Sequence, residues 1–289
     1  MGVIASPSVR KLAAELGVDI DALASRLGRQ TIAREDVLGQ TSGGAPAGAA
    51  HWDVAHAEWG PVTVEPLNRM AQVASDNLAA AQALIPAVTH HDSADMTRIE
   101  ATRAALKAEG TRLTALAFHL AVLARCLRLF PRFNASLTAD GKSLILKEYI
   151  HIGIAVDTAN GLVVPVLRDV DRKRLGQIGE AISDLANRAR TRKLRPHEMG
   201  GASMTITNLG GIGGEAFTPI VNPPEVAILG ITRTDIRPVW NGETFVPTPM
   251  TPLDLSYDHR VINGADAARF MERYRALIAQ PDRLLVAQD

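Results

Sequence analysis

The sequence lacks the features that mark several large classes of protein. It contains one cysteine, Cys126, so no internal disulfide can form, which favours a reducing compartment such as the bacterial cytoplasm or the mitochondrial matrix. Basic and acidic residues both count 31, so the net charge is zero and there is no general attraction to nucleic acid. No apolar run reaches the ~18 residues that predict a membrane span.

The chain is long enough for one large domain and a smaller one. Its 289 residues are 46% hydrophobic but only 4% aromatic, so we expect a largely aliphatic core. Residues 40–50, QTSGGAPAGAA, have a composition typical of linkers. We therefore predict a small domain over residues 1–39, a flexible linker over 40–56 and a large domain over 57–289.

Helix signals occur in both predicted domains. Ser6 can cap a helix with Pro7 at its first position, and Gly17 can end it. Longer helices are expected at residues 66–83, 111–130 and 175–192. The second of these is apolar on most sides, which predicts deep burial. We expect His119 and Cys126 within it to be core or interface residues rather than chemical groups.

Strand signals are confined to the large domain. Strands are expected at residues 62–64, 144–157, 162–168, 203–207, 226–232 and 250–257. Asn160-Gly161 between two of them is a type I′ hairpin signal. Because strands and helices are mixed without a regular βαβ rhythm, the pattern predicts an α+β fold with a mixed sheet.

Residues 253–270, LDLSYDHRVINGADAARF, carry the strongest chemical signal. A strand with alternating apolar residues runs into Asp258-His259-Arg260, followed by an Asn263-Gly264 turn and an alanine-rich helix. His259 is thus held at a rigid strand end, where an imidazole can serve as a general base. A lone histidine at a strand end is more often structural, so its sequence context decides between the two interpretations.

Two other motifs favour structural interpretations. The glycines at 210–214 lack the Lys-Ser/Thr of a phosphate-binding loop and the spacing of a dinucleotide fingerprint, so they are expected to form a turn or to let the backbone pass close to a substrate. His90, His91 and Asp92 would alternate between the two faces of a strand and could not easily share one ion. We predict no metal site.

Several collinear segments resemble one enzyme family. The segment around His259 resembles the DHRxxDG signature of the dihydrolipoamide acyltransferases, the E2 components of 2-oxo acid dehydrogenase complexes. Further similar blocks are LIPAVTHHDSADMTRIEATR (84–103), FPRFNASL (130–137), HIGIAVDTANGLVVPVLRDVDRK (151–173) and MTITNLGGIGGEAFTPIVNPPEVAILG (204–230). VIASPSVRKLAAELGVDIDAL (3–23) and TIAREDV (31–37) resemble the peripheral subunit-binding domain of the same enzymes.

The resemblance implies a fold, an activity and site residues. The catalytic domain would have the fold of chloramphenicol acetyltransferase, and the enzyme would move an acyl group between dihydrolipoamide and coenzyme A. His259 would be the base and Thr207 would donate its hydroxyl to the oxyanion, the two coming from neighbouring subunits of a trimer. The blocks are closest to the acetyl-transferring, pyruvate-linked branch, although Thr207-Asn208 is closer to the succinyl-transferring one.

The resemblance also implies partners. The small domain would bind the 2-oxo acid dehydrogenase (E1) and dihydrolipoamide dehydrogenase (E3), and trimers would assemble into a 24-mer or 60-mer core. No Asp-Lys dipeptide marks a lipoyl hairpin, so we expect the lipoyl group to be supplied in trans by a separate lipoyl domain.

This sequence departs from the family pattern at two places. Asn263 replaces the usual aspartate and is expected to support the loop beside the base. The usual glycine-rich Gly-Arg loop is replaced by residues 25–31, which contain one glycine. Two other functions remain open: a non-catalytic core subunit, and a stand-alone acyltransferase that uses coenzyme A and a small acceptor.

Overall fold

The chain folds as two units, divided between Leu67 and Asn68. The computed structural model describes residues 3–27, 29–34, 36–37, 55–159 and 161–285, without the side chains of residues 25 and 26. Most of the linker expected at 40–56 lies outside the described residues, and that boundary stays a prediction. Within the described residues, no helix is both long and apolar enough to cross a membrane.

The first unit contains two helices, α1 (Pro7–Glu15) and α2 (Ile20–Leu27). Ser6 caps α1 as the sequence predicts, because its hydroxyl accepts the backbone N–H of Val9 at 3.3 Å. The unit has its own small core, made of Val9, Ala13, Leu23, Ala24, Ile32 and Val37. The guanidinium of Arg29, which belongs to the segment that departs from the family loop, donates to Asp36 at 2.5 Å.

The second unit contains the longer helices. They are α3 (Arg69–Leu84), α4 (Thr97–Ala108), α5 (Ala115–Leu129), α6 (Leu175–Arg190), α7 (Gly264–Ile278) and α8 (Asp282–Leu285). Three begin or end close to the predicted bounds. α5 starts four residues later than expected, because Gly110 ends α4 with a positive φ of 89° and Thr114 is still extended.

The strands of this unit form a mixed sheet. They are β1 (Ala87–Asp95), β2 (Ala135–Leu137), β3 (Leu144–Leu146), β4 (Ile152–Ile154), β5 (Val156–Thr158), β6 (Gly161–Val163), β7 (Val166–Leu167), β8 (Met204–Asn208), β9 (Ala227–Ile231), β10 (Asp235–Trp240) and β11 (Phe245–Asp258). The main sheet has the order β1-β11-β9-β8-β4-β7, and β10 also pairs with β11. Because β8 is parallel to β4 and β9 while the other pairs are antiparallel, the α+β prediction is confirmed.

The strand predictions need correction at four places, one of which is 162–168, where the structure has the two short strands β6 and β7. Residues 62–64 form no strand, and the side chains of Val62 and Val64 are exposed. The single strand expected at 144–157 is three short ones, and the first break lies where the side-chain amide of Asn134 donates to the carbonyl oxygens of Lys147 and Tyr149. Strand β10 was not predicted, although residues 239–246 contain an Asn-Gly turn signal between apolar pairs.

A hairpin is present close to the predicted place, but Gly161 belongs to its second strand rather than to the turn. Thr158 on β5 pairs with Gly161 on β6, which leaves two residues in the connection. Asn160 itself lies outside the described residues, so the turn type stays a prediction.

The two faces of the main sheet differ in chemistry. One face is apolar and packs on α5, α6 and α7, and the buried residues of α5 include Phe118 and Leu123. The other face carries Thr205, Asp254 and other polar side chains and lies under the segment that joins β8 to β9. The sheet is therefore covered on both sides, and the polar groups on its second face must find partners within the fold.

We predict different costs for two leucines on α5. Leu123 is fully buried, so Leu123→Ala should lower the free energy of unfolding by about 2–5 kcal/mol through lost burial and a cavity. Leu129 near the end of the same helix is 54% exposed, and Leu129→Ala should cost clearly less. Denaturant unfolding at one protein concentration measures both, and equal losses would contradict this description of the core.

Candidate active site

His259 stands at the end of the longest strand, where backbone contacts fix its position. Its N–H donates to the carbonyl oxygen of Pro86 at 3.1 Å, and the N–H of Asp258 donates to that of Val226 at 2.9 Å. These two bonds tie the end of β11 to the chain before β1 and β9. The imidazole itself is exposed, with its ring 5.9 Å from that of Tyr257, so a substrate or another chain can reach it.

The residues on either side of His259 form a closed ion pair. The buried carboxylate of Asp258 accepts from Nη2 of Arg260 at 2.6 Å and from its Nε at 2.9 Å, and also from its backbone N–H at 3.0 Å. These hydrogen bonds raise the pKa of Arg260 above its usual value. Asp258 is thereby neutralised by Arg260, and this clamp makes the turn that presents His259 rigid.

Asn263 caps the helix that follows this turn. Its side-chain oxygen accepts the backbone N–H of Asp266 at 2.9 Å at the start of α7. The guanidinium of Arg132 donates to the carbonyl oxygen of Val261 at 2.8 and 3.2 Å within the same turn. Asn263 thus lies where the sequence analysis expects it to support the loop beside the base.

Thr207 lies on β8, and its pairing places it far from His259 in the same chain. Thr207 is opposite Gly230 on β9, and Gly230 is opposite Asp254 on β11. His259 lies five residues beyond Asp254, so at ~3.3 Å per residue and ~4.8 Å per strand the two Cα atoms are roughly 20 Å apart. A single chain therefore does not bring the two predicted catalytic groups together.

The hydroxyl groups of the two threonines on this face of β8 differ. Thr205 is buried and donates to Glu225 at 2.9 Å. Thr207 is half-buried, and its hydroxyl makes no hydrogen bond among the residues that the structure describes. It is thus available to a substrate in a way that the hydroxyl of Thr205 is not.

Glu225 is a buried acid that the sequence analysis missed. Its Oε1 accepts from Thr205 and from the side-chain amide of Asn222 at 3.0 Å, whereas Oε2 is buried with no partner in the described part of the chain. Burial raises its pKa to about 7, against the lowering effect of these hydrogen bonds and of Lys147 nearby. A carboxyl directly before the wholly apolar strand β9 was the signal that could have identified it.

A cavity of about 440 Å³ lies beside the turn that presents His259. Asp258 and Arg260 line one part of it, together with Glu225, while α3 supplies apolar residues such as Leu84. The cavity therefore joins an apolar wall to the polar end of β11. A chain with both alkyl and polar parts fits such a lining.

The residues of the two motifs interpreted as structural make contacts within the fold. Adjacent residues of β1 form different pairs: His91 lies 2.5 Å from Asp254, whereas Asp92 lies 3.4 Å from Arg275. Within the described ranges, no cluster of three metal-ligating side chains occurs. The glycine segment begins with a turn in which Gly210 donates its N–H to the side-chain oxygen of Asn208.

His119 and Cys126 are core residues, as predicted. His119 contacts the hydroxyl of Tyr274 at 2.8 Å, and burial lowers its pKa to about 4. Burial raises the pKa of the Cys126 thiol to about 12, so it is an unreactive thiol at neutral pH.

Comparison with known proteins identifies relatives for both units. The family described as 2-oxoacid dehydrogenases acyltransferase (catalytic domain) matches residues 60–286, and the family described as E3 binding domain matches residues 3–38. The dihydrolipoyllysine-residue acetyltransferase component of the pyruvate dehydrogenase complex of Azotobacter vinelandii is 46% identical over 98% of this chain and 47% of its own length. The corresponding component of Pseudomonas aeruginosa is 46% identical over 98% of this chain and 55% of its own length. The chain thus spans about half the length of these relatives.

Solved structures of such enzymes share the fold of the second unit. One comes from a crystallographic and enzymatic investigation of a serine, a histidine and an asparagine in the catalytic mechanism of the dihydrolipoamide acetyltransferase of Azotobacter vinelandii. It has 48% identity and a TM-score of 0.78 and covers 81% of this chain and 98% of that one. The structure of the cubic core of a pyruvate dehydrogenase multienzyme complex matches this chain with the same identity, TM-score and coverage. A truncated catalytic core from Thermoplasma acidophilum has 36% identity and a TM-score of 0.72, covering 76% of this chain and 100% of that one.

The buried carboxyl of Glu225 predicts a pH-dependent stability. Its pKa rises on folding from 4.5 to about 7, so the folded chain holds more protons and loses stability as the pH rises between these values. Glu225→Gln has no such group and avoids that loss. Between pH 4 and pH 8, its free energy of unfolding relative to that of the parent chain should therefore rise by on the order of 3 kcal/mol. Denaturant unfolding at both pH values measures the difference.

The exposed Glu243 provides the matched control, since Glu243→Gln also removes one acidic group. Its stability relative to the parent should change little with pH. If Glu225→Gln behaves like this control, Glu225 is not held neutral by burial.

Proposed function

The chain belongs to the 2-oxoacid dehydrogenase acyltransferase family, and we propose that it transfers an acetyl group between dihydrolipoamide and coenzyme A. The observation that carries this proposal is the exposed imidazole of His259 at the clamped end of β11. Both substrates are thiols, and their exchange of an acyl group needs a base with a pKa near neutrality.

The placement of three residues supports the same activity. In the Azotobacter vinelandii enzyme, the asparagine studied in the catalytic mechanism follows the histidine by four residues, as Asn263 follows His259 here. The serine studied there precedes its histidine by the same interval that separates Thr207 from His259. We therefore assign the roles of base, hydroxyl donor and loop support to His259, Thr207 and Asn263.

The base acts on the attacking thiol. His259 accepts the thiol proton at a ring nitrogen, and the sulfur attacks the carbonyl carbon of the thioester. When the tetrahedral intermediate collapses, its bond to the leaving sulfur breaks and the imidazolium returns the proton to that sulfur. Rigid placement by the Asp258–Arg260 clamp keeps the imidazole in position for both transfers.

The hydroxyl of Thr207 stabilises the oxyanion. Its hydroxyl has no acceptor in the described part of the chain, so it is free to donate to the negative oxygen of the intermediate. Losing one such donor typically costs about 3–4 kcal/mol of transition-state stabilisation.

The complete site requires two copies of the chain. Thr207 and His259 are roughly 20 Å apart in one chain, too far to act on one carbonyl group. We therefore infer that the His259 of one protomer meets the Thr207 of its neighbour, as the predicted trimer allows. The cubic core to which the second unit is similar is consistent with further assembly of such trimers.

The first unit provides the link to partner enzymes. Its match to the E3-binding domain supports binding of the dihydrolipoamide dehydrogenase, and the predicted 2-oxo acid dehydrogenase would bind the same unit. We propose that a lipoyl domain outside these 289 residues delivers the acyl group. The bacterial relatives and the single cysteine favour action in a bacterial cytoplasm.

His259→Ala tests the assignment of the base. Acyl transfer should fall by roughly 10²–10⁴-fold while the protein stays folded and oligomeric, because only the proton-transfer group is lost. The measurement follows formation of acetyl-dihydrolipoamide from acetyl-coenzyme A. His197 is also exposed, and His197→Ala should keep the parent rate.

Two outcomes would contradict the proposed function. Near-normal turnover by His259→Ala would show that His259 is not the base. An inactive parent chain would favour a non-catalytic core subunit. The same assay compares dihydrolipoamide with small alcohols and amines as acceptors of the acyl group. A stand-alone acyltransferase would acylate the alcohols or amines better than dihydrolipoamide.

A pair of variants tests the hydroxyl of Thr207. Thr207→Ser keeps the donor and should keep much of the activity, whereas Thr207→Val keeps the shape without the donor. We expect the valine variant to lose about 10²-fold or more in kcat with a smaller change in KM. Equal activity of the two variants would assign Thr207 to the turn rather than to the oxyanion.

A further inference from the structure

Another buried carboxyl group, besides Asp258 and Glu225, lies on the face of the sheet that carries Thr207. Asp254 is 1% exposed, and its Oδ1 lies 2.5 Å from Nδ1 of His91 on the neighbouring strand β1. An ionised carboxylate can only accept, so Nδ1 of His91 is the donor. Neither residue takes part in the reaction described above.

The other oxygen of Asp254 holds a loop. Oδ2 accepts the backbone N–H of Phe217 at 3.2 Å. Phe217 belongs to the segment that leaves β8 directly after Thr207 and Asn208 and returns over the sheet before β9. Between these points the segment contains four glycines at 210–214. Glycine allows more backbone conformations than other residues do. Such a segment needs anchors to keep one conformation.

The ring of the anchored Phe217 lies against the cross-strand neighbour of Thr207. A Cβ built on Gly230 would come within 2.6 Å of the ring of Phe217, so this ring rests directly on the glycine. Gly230 is the cross-strand neighbour of Thr207 on one side and of Asp254 on the other. Asp254 therefore holds the backbone of Phe217, and the ring of Phe217 lies against Gly230 beside Thr207.

We propose that Asp254 is a positioning residue for the acyl transfer, because its buried carboxylate joins His91 to the loop of Phe217 and so sets the surroundings of the Thr207 hydroxyl. This inference rests on the proposed function of Thr207. The carboxyl group of Asp254 contacts both segments, because one oxygen bonds to His91 and the other accepts the backbone N–H of Phe217. The pair joins positions that are far apart in the sequence, which makes it an anchor between segments rather than a local turn.

Two substitutions of Asp254 separate the anchor from the charge. Asp254→Ala removes both contacts and should lower kcat by about 10- to 100-fold with KM for coenzyme A within about twofold, because the oxyanion donor is misplaced. In Asp254→Asn the side-chain oxygen still accepts from Phe217 while the amide faces His91, which can accept in its other tautomer. The asparagine variant should therefore stay within about threefold of the parent kcat.

Hydrogen exchange measures the anchor without reference to activity. Mass spectrometry of peptides that cover residues 209–221 should show exchange at least about tenfold faster in Asp254→Ala than in the parent or in Asp254→Asn. Asp92 provides the matched control, because it forms an ion pair with Arg275 from the other face of β1. Asp92→Ala should change neither the exchange of this segment nor kcat.

The outcomes distinguish this inference from the proposed function. Faster exchange with an unchanged kcat, a slower kcat without faster exchange, or equal losses in the alanine and asparagine variants would each overturn the positioning role. An inactive parent chain would overturn the proposed function, whereas the exchange result would still report on the anchor. If Asp254→Ala does not fold, Asp254→Ser with His91→Phe removes both members of the contact and carries the same expectations.

Discussion

The pairing of β11 with β1 on one side and with β9 on the other is the constraint on which the site depends. This 14-residue strand aligns Asp254 with His91 and Gly230, and its end places His259 beside Pro86. A register shift of one residue would turn every side chain of the strand to the opposite face, so the apolar core fixes the register. The position of the imidazole therefore follows from packing that lies far from it.

The second face of the sheet carries three buried carboxyl groups, and the structure accommodates each in a different way. Asp258 is neutralised by the neighbouring Arg260, while Asp254 is held by His91 and a backbone N–H. Among the described residues, Glu225 accepts from the neutral donors Thr205 and Asn222 and lies farther from Lys147, and burial raises its pKa. A buried charge without a partner is costly, which makes each of these arrangements a condition for covering this face.

The separation of Thr207 from His259 links the chemistry to assembly. Neither residue can be moved toward the other without breaking the sheet, since both positions are fixed by strand pairing. With this geometry, the proposed transfer needs a second copy of the chain to supply the other group. The proposed transfer therefore depends on the proposed trimer. Loss of the interface between subunits would remove the activity even if each chain stayed folded.

The sequence by itself determined the local features. Ser6 capping α1, the apolar helix around Leu123 and the strand–turn–helix that presents His259 all follow from patterns within a few turns or residues. The fold class and the family also follow from the sequence, because the motifs are collinear over both domains. What these features share is that their determinants lie close together along the chain.

Only the tertiary structure decided which distant residues meet. Residues 62–64 have the composition of a strand, but a strand needs a partner, and that region has none in the described part of the chain. The contact of His91 with Asp254 spans 163 positions, and the burial that raises the pKa of Glu225 occurs where Thr205, 20 positions away, bonds to it. No sequence window contains such pairs, because hydrogen bonding and desolvation depend on distance in space and not along the chain.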